Sequence, residues 1–167
     1  MLAVIGENVV DMLPEHNGLY RPCLGGSPFN VAIAAARQQQ QVSYISPLSK
    51  DAFGQQFSAY LKKNGANYGL NYFSQCPSSM AVISIDTKLQ PQYSLYRRGI
   101  ADRDISAETQ TAALPANCNV LHLGSLALES EDAPRITQVV SAAKATGIQI
   151  ALDINVRLKA VTNAEAY

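Results

Sequence analysis

Gly25-Gly26-Ser27-Pro28-Phe29-Asn30 is the stretch that decides how this chain of 167 residues is read. Two glycines end an extended segment. Ser27 stands where a helix N-cap belongs, and Pro28 at the first helical position, where its missing N–H costs nothing. The alanine-rich run that follows Val31 continues the helix. A glycine turn feeding a helix N-terminus lets a ligand approach bare backbone and meet free N–H groups. Asn30 falls in the first turn of that helix, with both an acceptor and donors in its amide. Such a mouth suits a polyhydroxylated ligand better than a flat apolar one.

The segments around this turn read as an α/β protein. Upstream, Leu2-Ala3-Val4-Ile5 is a continuous apolar run, as expected of a strand buried on both faces. It runs into Gly6-Glu7-Asn8-Val9-Val10-Asp11, which puts Glu7 and Asp11 near its carboxyl end. Open α/β sheets bind ligands at that end. For Glu7 the plain alternative is a solvated turn acid. Asp11 sits among apolar neighbours, where a carboxylate wants a partner. Residues 14–24 contain the turn dipeptide Asn17-Gly18 and read as a small β excursion.

Downstream, a second core strand follows at 42–46. Asp51 is the expected N-cap of the next helix, which presents Phe53, Phe57, Tyr60 and Leu61 on one face and closes at Asn64-Gly65. Strands are expected at 71–74, 80–85 and 92–98, the last two joined by a turn-rich loop. Arg97 and Arg98 end this segment. They suit either an anionic or hydroxyl-rich ligand or a charge-protected edge strand. A short polar helix after Ser106, a strand at 120–125, a helix carrying Ile136, Val139, Val140 and Ala143, and a strand ending in Asp153-Ile154-Asn155-Val156-Arg157 complete the chain. His122, between two leucines, reads as a core residue. The order implies a doubly wound α/β core with a β flap inserted. Three polar clusters, 7–11, 25–30 and 153–157, then share one edge of the sheet.

Bulk properties exclude several classes. The formal net charge is +0 and no basic stripe exists, so nucleic acid and an anionic membrane are not expected partners. Cys23, Cys76 and Cys118 form no CxxC pair and imply neither a zinc site nor a disulfide framework. No metal ligand set is read from the residues. With neither a signal peptide nor a membrane span in view, the expected location is the cytoplasm. No GxGxxG follows the first strand, which argues against a dinucleotide-binding oxidoreductase.

Four segments together resemble the ribokinase-like sugar kinases, the PfkB carbohydrate kinase family. Gly6-Glu7-Asn8-Val9-Val10-Asp11 is similar to the opening motif of the fructokinase and 2-keto-3-deoxygluconate kinase branches. Gly25 to Asn30, continuing into Val31-Ala32, resembles the N-terminal glycine signature. Tyr96-Arg97 followed by Ala101-Asp102 resembles the fructokinase flap, and Asp153-Ile154-Asn155-Val156-Arg157 an Asp-x-Asn-x-Arg segment.

The resemblance implies a three-layer Rossmann-type core, partly present, with a small β-sheet lid formed by segments at about 12–24 and 71–98. It implies sugar contacts from Asp11, Gly25, Gly26 and Asn30, and flap contacts from Tyr96 and Arg97. Arg157 would lie near both the sugar and the transferred phosphate, and Asn155 and Arg157 on the nucleotide side. ATP and Mg2+ would be the cofactors, a homodimer would form through the lid, and the substrate would be a ketose, with fructose favoured. A 2-keto-3-deoxygluconate kinase and a non-catalytic sugar-binding module are the alternatives. The family's second signature, Gly-Ala-Gly-Asp, which carries the catalytic base, does not occur in these 167 residues. The chain is therefore expected to be the amino-terminal part of a single kinase domain, inactive alone.

Overall fold

The computed structural model describes residues 1–87 and 89–155. The chain opens with strand β1 (Leu2–Ile5) and continues through β2 (Val9–Pro14), β3 (Tyr20–Gly25), helix α1 (Ser27–Arg37), β4 (Val42–Tyr44), helix α2 (Ala52–Lys63) and the two-residue β5 (Asn67–Tyr68). Then come β6 (Ser79–Ile85), β7 (Pro91–Tyr96), α3 (Ala107–Ala112), β8 (Val120–Gly124), α4 (Ala133–Ala145) and β9 (Gln149–Asp153).

Two sheets result. The larger has five parallel strands in the order β5-β4-β1-β8-β9. Its central strands β1, β4 and β8 are mostly apolar and buried, while the edge strands β5 and β9 are more exposed. Val4 and Tyr44 pack with Phe29 of α1 and with Phe57 and Leu61 of α2. Ala3 and Ile5 point the other way, into a cluster with Leu121, Leu123, Ile136 and Val139. Alternate residues of one four-residue strand thus serve two cores. Phe29 anchors the first, edge-on to Phe57 at 4.8 Å and to Tyr44 at 5.5 Å between ring centres.

The smaller sheet, order β3-β2-β6-β7, is the lid. β2 pairs antiparallel with β3 and parallel with β6, and β6 pairs antiparallel with β7. Its residues Val9, Ala81 and Ile83 pack on Leu126, just beyond β8, and this seats the lid on the carboxyl edge of the parallel sheet.

Several local expectations are met in detail. The Asp51 carboxylate caps α2, accepting from the Gly54 amide at 2.8 Å, and Ser106 caps α3 through the Thr109 amide. Others are corrected. Residues 71–74 form no strand: Ser74 makes one isolated bridge to Ser49, and the edge strand is instead β5. β7 ends at Tyr96, before the arginine pair. Asp11 is not at the end of β1 but within β2, in the lid. Ser27 is the first residue of α1, not its cap; Gly26 takes the cap position at φ 109°, and no side chain of its own caps the helix.

Candidate functional site

β1 lies at the point where the chain's strand order reverses, with β4 on one side and β8 on the other. A crevice opens beyond the carboxyl ends of strands at such a point. The chain leaves β1 directly into Gly6, Glu7 and Asn8, and α1 begins at the same edge.

The glycine turn is shaped by what presses on it. A β-carbon on Gly26 would fall 2.3 Å from the Glu7 carbonyl oxygen, and the positive φ is one that side chains rarely adopt. A β-carbon on Gly25 would fall 2.5 Å from Asp11 Oδ2. Asp11 therefore lies against Gly25, brought there by the antiparallel pairing of β2 with β3. Asp11 is half-buried, and burial raises its carboxyl above the usual value. Asn30, bonded through its backbone N–H to the Gly26 carbonyl at 2.9 Å, keeps its side chain exposed in the first turn of α1.

Glu7 is not the solvated turn acid of the plain alternative. It is only 2% exposed. Its Oε1 accepts from the Ser27 amide at 3.1 Å, so the cap that Ser27 does not provide comes from a residue 20 positions upstream. Burial pushes the Glu7 carboxyl up to about 7, against the pull of its own backbone amide, Arg97, Ser27 and Ser125. The backbone on either side is fixed: Ser46 Oγ accepts from the Gly6 amide at 2.9 Å and the Tyr44 hydroxyl donates to the Gly6 carbonyl at 2.6 Å. The Asn8 amide donates to Tyr44 Oη and the Pro47 carbonyl, both at 3.1 Å.

Arg97 is buried rather than free on a flap. Its Nη1 pairs with Asp102 Oδ2 at 2.9 Å and donates to Ser79 Oγ at 3.3 Å. Burial works against the Arg97 charge, but Asp102 more than restores it, and the guanidinium stays protonated. Tyr96 pairs in register with Met80, which pairs with Val10, so it lies on the lid face opposite Asp11; it is 62% exposed. Asn155 has a φ of 41°, and its Nδ2 reaches Ser125 Oγ at 3.5 Å. Arg157 lies outside the described residues. His122 is half-buried in β8, and burial lowers its pKa, with Asp153 opposing.

Glu7, Asp102 and Ser125 are the polar residues of this region that the sequence did not mark as site residues. Only the position of Ser125, just past the apolar run of β8, was visible in the sequence; the structure adds its positive φ of 55°, an uncommon conformation for a non-glycine residue. The described residues contain no group of three side chains able to hold a metal ion, so no step is assigned to magnesium here. Among them no helix is long and apolar enough to cross a membrane.

Comparison with known proteins agrees with this architecture. The probable fructokinase-3 of Arabidopsis thaliana is 25% identical over 166 residues, spanning 94% of this chain and 48% of its own length. The fructokinase of Solanum tuberosum is 26% identical over 167 residues, spanning 95% and 52%. The chain thus spans about half the length of the curated relatives it matches. Among solved structures, the fructokinase of Xylella fastidiosa aligns with a TM-score of 0.86 at 25% identity, covering 98% of this chain and 55% of that one. The same enzyme with bound ATP gives 0.86 at 26% identity, covering 98% and 51%. The match to the family model runs through residues 14–164, from the tip of the lid hairpin past β9, and on that extent the chain belongs to the pfkB family of carbohydrate kinases.

Proposed function

We propose that this chain forms the sugar-gripping part of an ATP-dependent ketose kinase, with fructose as the substrate. The observation that carries the reading is the contact of Asp11 with Gly25 at the mouth of α1, beside the exposed Asn30 side chain. An anionic carboxylate over a helix N-terminus repels a phosphate and accepts hydrogen bonds from hydroxyls. Asp11, Gly25, Gly26 and Asn30 hold the sugar; the lid over them excludes the water that would otherwise take the phosphoryl group.

Arg97 serves this site from beneath, by fixing the foot of the lid against Asp102. Arg157 and Asn155 are assigned to the phosphate and nucleotide side, where a cation stabilises charge on the transferred group. Relatives named fructokinase and a neighbour solved with ATP support the substrate and the nucleotide. Tyr96, with exposed Leu19 and Tyr20, is assigned to a contact between the lids of two copies.

Calorimetric titration of the chain with fructose and with 2-keto-3-deoxygluconate tests the reading. Saturable fructose binding is expected, weakened about tenfold or more by Asn30→Ala, a loss of roughly 1.4 kcal/mol. Preference for the keto-acid moves the chain to the other branch. Binding of neither sugar overturns the proposal. The 167-residue chain alone is expected to release no ADP from ATP with either sugar.

A further inference from the structure

We propose that Glu7 is a positioning residue of the cleft, whose carboxylate ties the first amide of α1 to the buried Arg97–Asp102 pair so that the glycine turn and the foot of the lid act as one unit. The consequence for sugar rests on the function proposed above; the coupling itself does not.

The geometry is specific. Oε1 of Glu7 holds the Ser27 amide, Oε2 is buried without a well-formed hydrogen bond, and the Ser125 hydroxyl acts on the same carboxyl. Three more buried polar atoms are unpartnered nearby in this network: Asn8 Oδ1, Arg97 Nε and Asp102 Oδ1. Buried polar atoms are rarely left unpaired without a reason. The backbone of Glu7 cannot retreat, because its carbonyl lies against Gly26 and both polar groups of Gly6 are clamped. A change in its charge must therefore be taken up by the groups around it. Those groups come from every packed element: Ser27 from α1, Tyr44 from β4, Arg97 and Asp102 from the segment after β7, and Ser125 after β8, with Glu129 acting on Arg97 from behind. With the carboxyl pushed up to about 7, both charge states are populated near neutrality.

The ionised carboxylate holds the Ser27 N–H by a hydrogen bond and acts on the guanidinium through its charge, with no direct ion pair between them; protonation weakens both attractions. The test is a pH titration by NMR of the labelled chain, from about pH 5.5 to 8.5, following the Ser27 backbone amide and the Arg97 Nε–H. A shared inflection is expected in the wild type and none in Glu7→Gln. An amide that does not titrate, or that titrates unchanged in Glu7→Gln, overturns the proposal. Should Glu7→Gln fail to fold, Ser125→Ala decides it: loss of that hydroxyl must move the shared inflection upward, and an unmoved inflection overturns it.

Fructose affinity is expected to be about tenfold tighter above the inflection than below it, and pH-independent in Glu7→Gln. Fructose binding that ignores pH in the wild type counts equally against the proposal. Absence of fructose binding at every pH removes the sugar reading alone, because the amide titration still decides the coupling.

Discussion

The carboxylate of Asp11 occupies the space in which a side chain on Gly25 would begin, 2.5 Å from the position of its β-carbon. The contact joins the lid strand β2 to the turn before α1. Gly25→Ala should push Asp11 aside, at the flexible end of its side chain, at a stability cost of about 1 kcal/mol. Fructose affinity should fall about tenfold or more. Calorimetry with a parallel thermal melt separates the two effects; unchanged affinity would remove Asp11 from the sugar site.

Arg97 and Asp102 form a pair whose side chains are 7% and 2% exposed. Arg97→Met strands a buried carboxylate and should cost about 3–5 kcal/mol in urea unfolding. Adding Asp102→Leu should recover most of that loss. If the double variant is no more stable than the single, the pair is not an isolated electrostatic unit.

Stability should carry a signature of Glu7. Its folded carboxyl is raised from 4.5 to about 7, so the folded state holds the proton more tightly than the unfolded chain. The stabilisation is full below about pH 4.5 and is lost as pH rises through about 7, a change of roughly 3 kcal/mol at most. Glu7→Gln should remove that slope. Denaturant midpoints of wild type and variant at several pH values measure it, and parallel curves would exclude the raised carboxyl.

Asp51 binds in the opposite sense. Its oxygens accept from the Gly54 amide and from the amide and hydroxyl of Ser78, and these bonds, outweighing the effect of burial, hold its carboxyl below the usual range. This contribution is present above the unfolded carboxyl's range and is lost as pH falls through the lowered folded value. Asp51→Ala should cost about 1–2 kcal/mol through the lost cap. A thermal melt showing no loss would mean that Ser78 and Gly54 find other partners.

Local physics explains what the sequence made legible. The Asp51 cap, the Phe57–Leu61 face and the Asn64 terminus are decided within a few residues, and all three are present. The meeting of Asp11 with the glycine turn comes from the pairing of β2 with β3, Val9 beside Gly25 and Asp11 beside Cys23, and not from the end of β1 where the sequence placed it. Glu7 escaped because the groups that act on its buried carboxyl, Ser27, Arg97 and Ser125, are remote in the chain. Residues 71–74 look strand-like, yet the place beside β4 is taken by Asn67 and Tyr68. The N-cap failed at Ser27 because the positive φ needed for the turn falls on Gly26, which moves the helix start forward by one residue.

The lid's central pairing has a consequence for the order of events in folding. β2 and β6 run parallel, from Val9 beside Ser79 to Met12 beside Val82. Between them in sequence lie β3, α1, β4, α2 and β5, so closing this pair means closing a loop that contains much of the core. The hairpins β2–β3 and β6–β7 can form locally, whereas their union must bring together residues about 70 apart in sequence. The β1–β8 pairing of the core, Leu2 beside Val120, closes a longer loop still, so both central parallel pairings are expected to form late and the two lid hairpins early.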